Sequence, residues 1–169
     1  MAKASEILGR PLVIREGGQA VGKVKDLVVD ESGRRVLGFV VSEGLFKPTR
    51  VALYASVQTI GPDSVIIGTA DGVVKAVAAP DINSVLDKNQ KIRGVKVQTT
   101  GGKDLGEIND FEFDDSTGSV LGYELSGGLF SDVFGGRSFL PIPASLEMGK
   151  DVAFVGPEAE GTVHKREES

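Results

Sequence analysis

Apolar and polar residues alternate in the same order in two parts of the chain, Val21–Phe46 and Leu105–Phe130. The two stretches align without a gap at a spacing of 84 residues, and 11 of the 27 positions aligned from Ala20 and Asp104 onward are identical. Agreement of this extent indicates an internal duplication. Because alternation with a period of two is typical of β-strands, each copy is predicted to contain two strands joined by a turn.

The first strand of each copy breaks its own alternation. In the first copy Val24 and Leu27 are both apolar although they lie three residues apart, and the second copy repeats the break. One extra residue in a strand produces such a shift, so the pattern predicts a β-bulge at Lys25-Asp26 and at Asn109-Asp110. We expect the aspartate of each bulge to accept hydrogen bonds from the local backbone.

The alternation also predicts which side of each strand is buried. The expected inward residues are Leu27, Val29, Leu37, Phe39 and Val41 in the first copy, and Phe111, Phe113, Leu121, Tyr123 and Leu125 in the second. On the opposite side, Glu112 and Glu124 stand where the first copy has Val28 and Val40. Carboxylates at these positions predict that the outer face of the second copy is solvated.

The duplication divides the chain into two units of similar size. We predict that residues 1–78 form the first unit and residues 79–156 the second. Residues 157–169 are polar and show no periodicity, so a disordered tail is expected there. Short helices are predicted at Ala4–Leu8 and Pro80–Lys88, in equivalent places at the start of the two units.

Composition excludes several classes of function. The chain has no Cys, so disulfides and thiolate chemistry are excluded. No apolar run approaches the ~18 residues of a membrane span and no secretory segment follows Met1, so we expect a cytoplasmic protein. The net charge of −5 disfavours nucleic-acid binding, because phosphate contacts need concentrated Lys and Arg.

The charge is unevenly distributed between the two halves. Residues 1–79 carry a net charge of +2, and residues 80–169 carry −7. This asymmetry could hold the units together or favour a homo-oligomer, and it could also serve solubility alone.

The residues of the duplicated stretch resemble a known module. A strand such as Gly22–Asp30, a turn, a second strand such as Val36–Val41 and a later segment such as Leu140–Ser145 are similar to the PRC-barrel domain. This small β-barrel occurs in the photosynthetic reaction-centre H subunit and in the ribosome maturation factor. The resemblance covers nearly the whole chain as two copies, and the chain looks like the stand-alone tandem PRC-barrel proteins of bacteria. It implies an all-β fold of two tandem small barrels that holds protein partners and has no catalytic set.

The sequence offers little for catalysis. His164 is the only histidine and lies in the predicted tail, so neither a catalytic triad nor a histidine metal cluster can form. The segment Gly101-Gly102-Lys103 lacks the spacing of a phosphate-binding loop. We therefore expect a protein that is not an enzyme and needs no cofactor.

One acidic pattern suggests an alternative. Asp110, Glu112 and Asp114 occupy alternate positions of a strand, so they share a face and could chelate Ca²⁺ or Mg²⁺. A solvated acidic face would give the same pattern. The alternative function is accordingly the binding of a divalent metal at this strand, or of a small ligand there or between the barrels.

The copies diverge most in the loop after the second strand. Its apolar residues are Leu45 and Phe46 in the first copy, and Leu129, Phe130, Val133 and Phe134 in the longer second loop. They could plug the end of each barrel or form an exposed docking patch. The leading hypothesis is a non-catalytic protein-binding or scaffolding module that contacts its partner through loops Gly44–Arg50 and Gly128–Arg137.

Overall fold

The computed structural model describes residues 1–44, 47–129, 135 and 137–166. Strands account for 46% and helices for 17% of the structure, which confirms the all-β class. The elements in chain order are β1 (Ala2–Lys3), α1 (Ala4–Ile7), β2 (Pro11–Ile14), β3 (Gln19–Val29), β4 (Val36–Ser42), β5 (Arg50–Leu53), β6 (Val57–Ile60), β7 (Val65–Ile67), β8 (Val73–Lys75), α2 (Pro80–Asp87), β9 (Lys96–Thr99), β10 (Asp104–Phe113), β11 (Val120–Ser126), β12 (Arg137–Pro141) and β13 (Val152–Val155). Short 3₁₀ helices lie at Tyr54–Ser56, Ala70–Gly72, Ala76–Ala78 and Pro157–Thr162. None of the helices in these ranges is long and apolar enough to cross a membrane.

Two sheets repeat one topology. The first sheet has the strand order β6-β7-β2-β3-β4-β5-β8, and the second has the order β12-β11-β10-β9-β13. In both, the first hairpin strand pairs in parallel with a late strand, β2 with β7 and β9 with β13. The duplication seen in the sequence is therefore a duplication of the sheet.

Both predicted bulges are present. The register of β3 against β4 shifts between Val24 and Asp26, and that of β10 against β11 shifts between Ile108 and Asp110. The carboxylate of Asp26 accepts a hydrogen bond from the amide of the next residue at 2.8 Å, and the carboxylate of Asp110 does the same at 2.9 Å. Each aspartate thus satisfies a backbone donor at its bulge.

A second shift in each hairpin corrects part of the predicted core. The register changes again between Val28 and Val29, and between Glu112 and Phe113. As a result, Val36 is in the main core, whereas Leu37, which was expected to point inward, packs against the outer face of the first sheet. Simple alternation missed this second extra residue.

The two units share one hydrophobic core. The ring of Tyr54 lies edge-on to Phe39 of its own unit at 5.9 Å and to Phe113 of the other unit at 6.1 Å. The turns also exchange backbone hydrogen bonds, from Val36 N to Gly118 O and from Val120 N to Arg34 O, both at 2.8 Å. The duplicated turns therefore fasten the units together by nearly symmetric contacts.

Both tyrosine hydroxyls join the two units. Tyr123 donates to Gly33 O at 2.6 Å, and Tyr54 donates to Asp115 O at 2.7 Å. Burial raises the pKa of Tyr54 to about 12, with further contributions from the carboxylates of Asp115 and Asp114. Burial also raises the pKa of Tyr123. Both phenols thus favour the protonated form in the folded protein.

These pKa shifts predict a loss of stability in alkali. The folded chain keeps protons that the unfolded chain releases, so the contribution of Tyr54 is complete below pH 10 and is lost as the pH rises through about 12. The chain has two Tyr and no Trp, so ultraviolet absorbance of tyrosinate reports only these groups. We expect the folded protein to gain this absorbance well above pH 10. A normal tyrosine titration in the folded state would contradict the prediction, and the variant Tyr54→Phe/Tyr123→Phe provides the control.

Helix α2 covers the outer face of the first sheet. Its residues Ile82 and Val85 pack with Val28, Val40 and Val51 in a second, smaller cluster. The helix is not equivalent to α1, contrary to the expectation from the sequence. The amide of Gly9 donates to Val24 O at 2.8 Å and that of Gly94 to Ile108 O at 2.9 Å, so the segment before Gly94 is the counterpart of α1.

The described part of the predicted disordered tail, residues 157–166, has defined structure. Ala159 is buried in the 3₁₀ helix, and His164 exchanges backbone hydrogen bonds with Phe139 at 2.7 and 3.0 Å. This bridge pairs His164 with β12. In the first sheet, Val74 of β8 pairs with β5 at the equivalent position. The tail therefore completes the second sheet in the way that β8 completes the first.

Candidate functional site

One of the predicted loop residues can be placed. Leu129 is 50% exposed, and its amide donates to Asp104 O at 3.1 Å. The other predicted docking residues lie outside the described residues: Leu45, Phe46, Phe130, Val133 and Phe134. The preceding residues Gly127 and Gly128 have φ values of 68° and 72°, which favour glycine. They form the turn that leaves Leu129 at the surface.

Leu129 lies at one end of a row of residues that crosses the second sheet. Asp104 pairs with Gln98 of β9, and Gln98 pairs with Phe154 of β13. Phe154 is 42% exposed, so two large apolar side chains mark the ends of this row. With a strand spacing of about 4.8 Å, they lie roughly 15 Å apart.

Phe154 was missed in the sequence analysis. Its neighbours Ala153 and Val155 are buried, so alternation along β13 alone places Phe154 on the outside. In the first sheet the strand equivalent to β13 is β7, which is paired on its outer side with the four-residue strand β6. In the second sheet the corresponding contact is the isolated bridge between Glu147 and Phe154. The edge beside Phe154 is consequently less covered than its counterpart.

The base of the first loop is held by an ion pair. Arg50 donates through Nε to Glu43 at 2.7 Å and makes a second, shorter hydrogen bond through Nη2. The hydrogen bond from Arg50 lowers the pKa of Glu43. The two ends of loop Gly44–Arg50 are thereby fixed to each other across β4 and β5.

The acidic strand face is buried, which corrects the expectation that it is solvated. Asp110 and Glu112 are each 6% exposed, and Glu124 on β11 is 7% exposed. Asp114 lies apart from them and accepts hydrogen bonds from the amide and hydroxyl of Ser116 at 2.9 and 2.6 Å. These bonds lower the pKa of Asp114. Within the described ranges, no group of three His, Cys, Asp or Glu residues is arranged to hold a metal ion.

Each buried carboxylate meets a basic side chain from a distant part of the chain. Arg93 lies 3.5 Å from Asp110, which also accepts hydrogen bonds from the amide and hydroxyl of Ser5. Arg166 binds Glu112 at 2.5 Å, and its guanidinium lies 4.5 Å from the centre of the Phe139 ring. The carboxylates therefore anchor the N-terminal segment and the tail.

Glu124 is shared by two cations. Lys3 lies 3.6 Å and Arg137 lies 3.5 Å from its carboxylate oxygens. Strand pairing places Glu112, Glu124 and Phe139 where Val28, Val40 and Val51 pack under helix α2 in the first unit. Arg166 follows the bridged His164 by two residues, as Ala76 of the same apolar cluster follows Val74. One sheet face is thus closed by a helix in the first copy and by ion pairs in the second.

The fold and these surfaces define a class of protein built from two small β-barrel units around a shared core. The family model of the PRC-barrel domain matches residues 1–79 and 87–159. The chain therefore belongs to the PRC-barrel family and contains the domain twice in tandem. Domains of this family are generally non-catalytic. No curated protein matches the chain.

Proposed function

We propose that the protein is a non-catalytic protein-binding module that holds its partner against the outer side of the second barrel. The observation that carries this proposal is the pair of exposed side chains, Leu129 and Phe154, at the two ends of one row across β10, β9 and β13. Exposed apolar groups of this size are typical of interaction surfaces.

The energetics of the row suit a binding surface. Complete burial of a Leu or Phe side chain contributes about 1.5–3 kcal/mol, so two such anchors could dominate a contact. Between them, Gln98 is half-buried and Asp104 is exposed, and both carry hydrogen-bonding groups. Protein interfaces usually combine apolar side chains with polar groups that form hydrogen bonds.

The predicted loop residues come directly after Leu129 in the sequence. Phe130, Val133 and Phe134 follow Leu129 in the same loop, which is longer than its counterpart in the first copy. A partner that contacts the second barrel alone would explain why the copies differ at this point. The cytoplasmic location, the absence of nucleic-acid binding and a homo-oligomeric state remain predictions from the sequence.

Affinity capture with surface variants tests this function. We expect the double variant Leu129→Asp/Phe154→Asp to lose the proteins that co-purify with the wild type, because a charge at each anchor opposes its burial. The readout is quantitative mass spectrometry of captured proteins, followed by titration of the recovered partner with purified chain. The loss in affinity should be at least about tenfold.

Val77 offers a matched control for these substitutions. It is 75% exposed and lies in the first unit, away from the row. The variant Val77→Asp should therefore capture the same proteins as the wild type. Equal capture by the wild type and by a folded Leu129→Asp/Phe154→Asp variant would rule out this surface.

A further inference from the structure

A cavity of about 350 Å³ lies between the two units, beside the bulge of β3. Its apolar wall comes from both copies and includes Leu27, Val29, Ile92 and Phe111. This volume is at the lower end of the range found for small-molecule sites, which are usually apolar with a few polar groups.

The cavity exists because the two copies are not equal. Leu27 and Val29 stand where the second copy has Phe111 and Phe113, so the first copy fills less volume. The asymmetry leaves space next to β3.

The two copies also differ in the hydrogen bonds made to the aspartate of each bulge. Ser5 bonds to Asp110 across the units, and it corresponds to Gln90 in the second copy. The side chain of Gln90 donates instead to Glu31 O at 3.3 Å. Asp26 therefore lacks the cross-unit contact that closes the space at Asp110, and the cavity remains open beside it.

Basic side chains line part of the cavity. Lys25, Lys91 and Arg93 line it, and in the described part of the chain neither lysine forms an ion pair. The two acidic lining residues, Asp26 and Asp30, direct carboxylate oxygens at backbone amides of their own bulge and turn, at 2.8 to 3.2 Å. The lining thus combines two lysines without an ion pair, two carboxylates that accept hydrogen bonds from the backbone, and an apolar wall.

We propose that this cavity binds a small carboxylic acid with an apolar body. Lys25 and Lys91 would bind its carboxylate, because hydrogen bonds between charged groups are stronger than those between neutral groups. Its apolar part contacts Leu27 and Phe111. The site is independent of the protein-binding row, because none of the row residues lines the cavity.

Titration with three probes of equal chain length tests the ligand class. The full chain is titrated with octanoate, octylammonium and 1-octanol, and binding is followed by calorimetry and by chemical shifts of the amides near residues 25–30 and 90–93. We expect saturable binding of octanoate that is at least about tenfold tighter than that of the other two probes. Equal or tighter binding of octylammonium or octanol would overturn the proposal, as would the absence of saturable octanoate binding.

Two variants connect the probe to the cavity. Leu27→Phe introduces the residue that the second copy carries at this position, and it is expected to abolish octanoate binding by filling the space. Its control is Leu86→Phe, on helix α2 and outside the cavity, which should bind octanoate as the wild type does. A folded Leu27→Phe protein with unchanged octanoate affinity would contradict the assigned site.

The charged part is tested separately. Lys25→Gln/Lys91→Gln should weaken octanoate binding about tenfold and leave the affinity for octanol unchanged. Lys23→Gln/Lys75→Gln removes the same charge from exposed positions outside the cavity and should have an effect below about twofold. Equal weakening by both double variants would show a general effect of net charge and overturn the role of Lys25 and Lys91.

Discussion

Replacement of Phe113 by alanine is expected to lower the free energy of unfolding by about 3–5 kcal/mol and to destabilise both units together. Phe113 is fully buried, and its ring lies 6.1 Å from Tyr54 of the first unit and 6.2 Å from Phe111 of its own. Because these rings belong to one core, a cavity at Phe113 removes packing from both sheets. Urea unfolding measures the change in the free energy of unfolding, and amide hydrogen exchange identifies the strands that are destabilised.

Phe154→Ala is the matched control for this large effect. Its side chain is already 42% exposed, so its removal should change the free energy of unfolding by less than about 1 kcal/mol. In Phe113→Ala, exchange should accelerate in β4 and β5 as well as in β10 and β11. Acceleration confined to the second sheet would mean that the units unfold independently and that the shared core contributes little to their coupling.

The sequence predicted those parts of the fold that depend on local alternation. The bulges at Asp26 and Asp110 followed from a three-residue spacing of apolar side chains, and a bulge is determined by the strand in which it lies. The second shift, which moves Leu37 to the outer face, follows two adjacent apolar residues, Val36 and Leu37. Alternation gives no signal where either neighbour could point inward.

The burial of the acidic face could not be predicted in this way. The sequence pattern of the strands predicts that Glu112 and Glu124 are solvated. In the structure, the side chains of Lys3, Arg137 and Arg166 cover them. These partners are distant in sequence, and only the assembled sheet brings them together. In the first copy the equivalent residues are apolar and are covered by helix α2. This comparison indicates that the face is covered in both copies, but it does not identify the residues that cover it in the second.

The tail and the candidate surface did carry usable signals. The segment Val163-His164-Lys165 repeats the order of Val73-Val74-Lys75 in β8, although its polar surroundings suggested disorder. Phe154 could be found from the alternation of β13. The position of Leu129 beside Asp104 depends on a turn of two glycines with positive φ, which composition alone does not specify.

Arg166→Ala is expected to lower the free energy of unfolding by about 2–3 kcal/mol and to loosen the end of the chain. The substitution leaves Glu112, which is 6% exposed, without its cationic partner, and an unpaired buried carboxylate is costly. Hydrogen exchange at the amides of Phe139 and His164 should accelerate, because their mutual hydrogen bonds hold the tail to β12. Urea unfolding and exchange together measure both effects.

The first copy provides the control for this prediction. Val28 and Ala76 are the first copy's counterparts of Glu112 and Arg166, so the double variant Glu112→Val/Arg166→Ala introduces the residues of that copy without its covering helix α2. It should regain most of the stability lost in Arg166→Ala, because no carboxylate is left buried without a partner. A double variant as unstable as Arg166→Ala alone would contradict this explanation. The loss of stability would then come from the contact of Arg166 with the Phe139 ring, and the ion pair with Glu112 would position the tail without stabilising it.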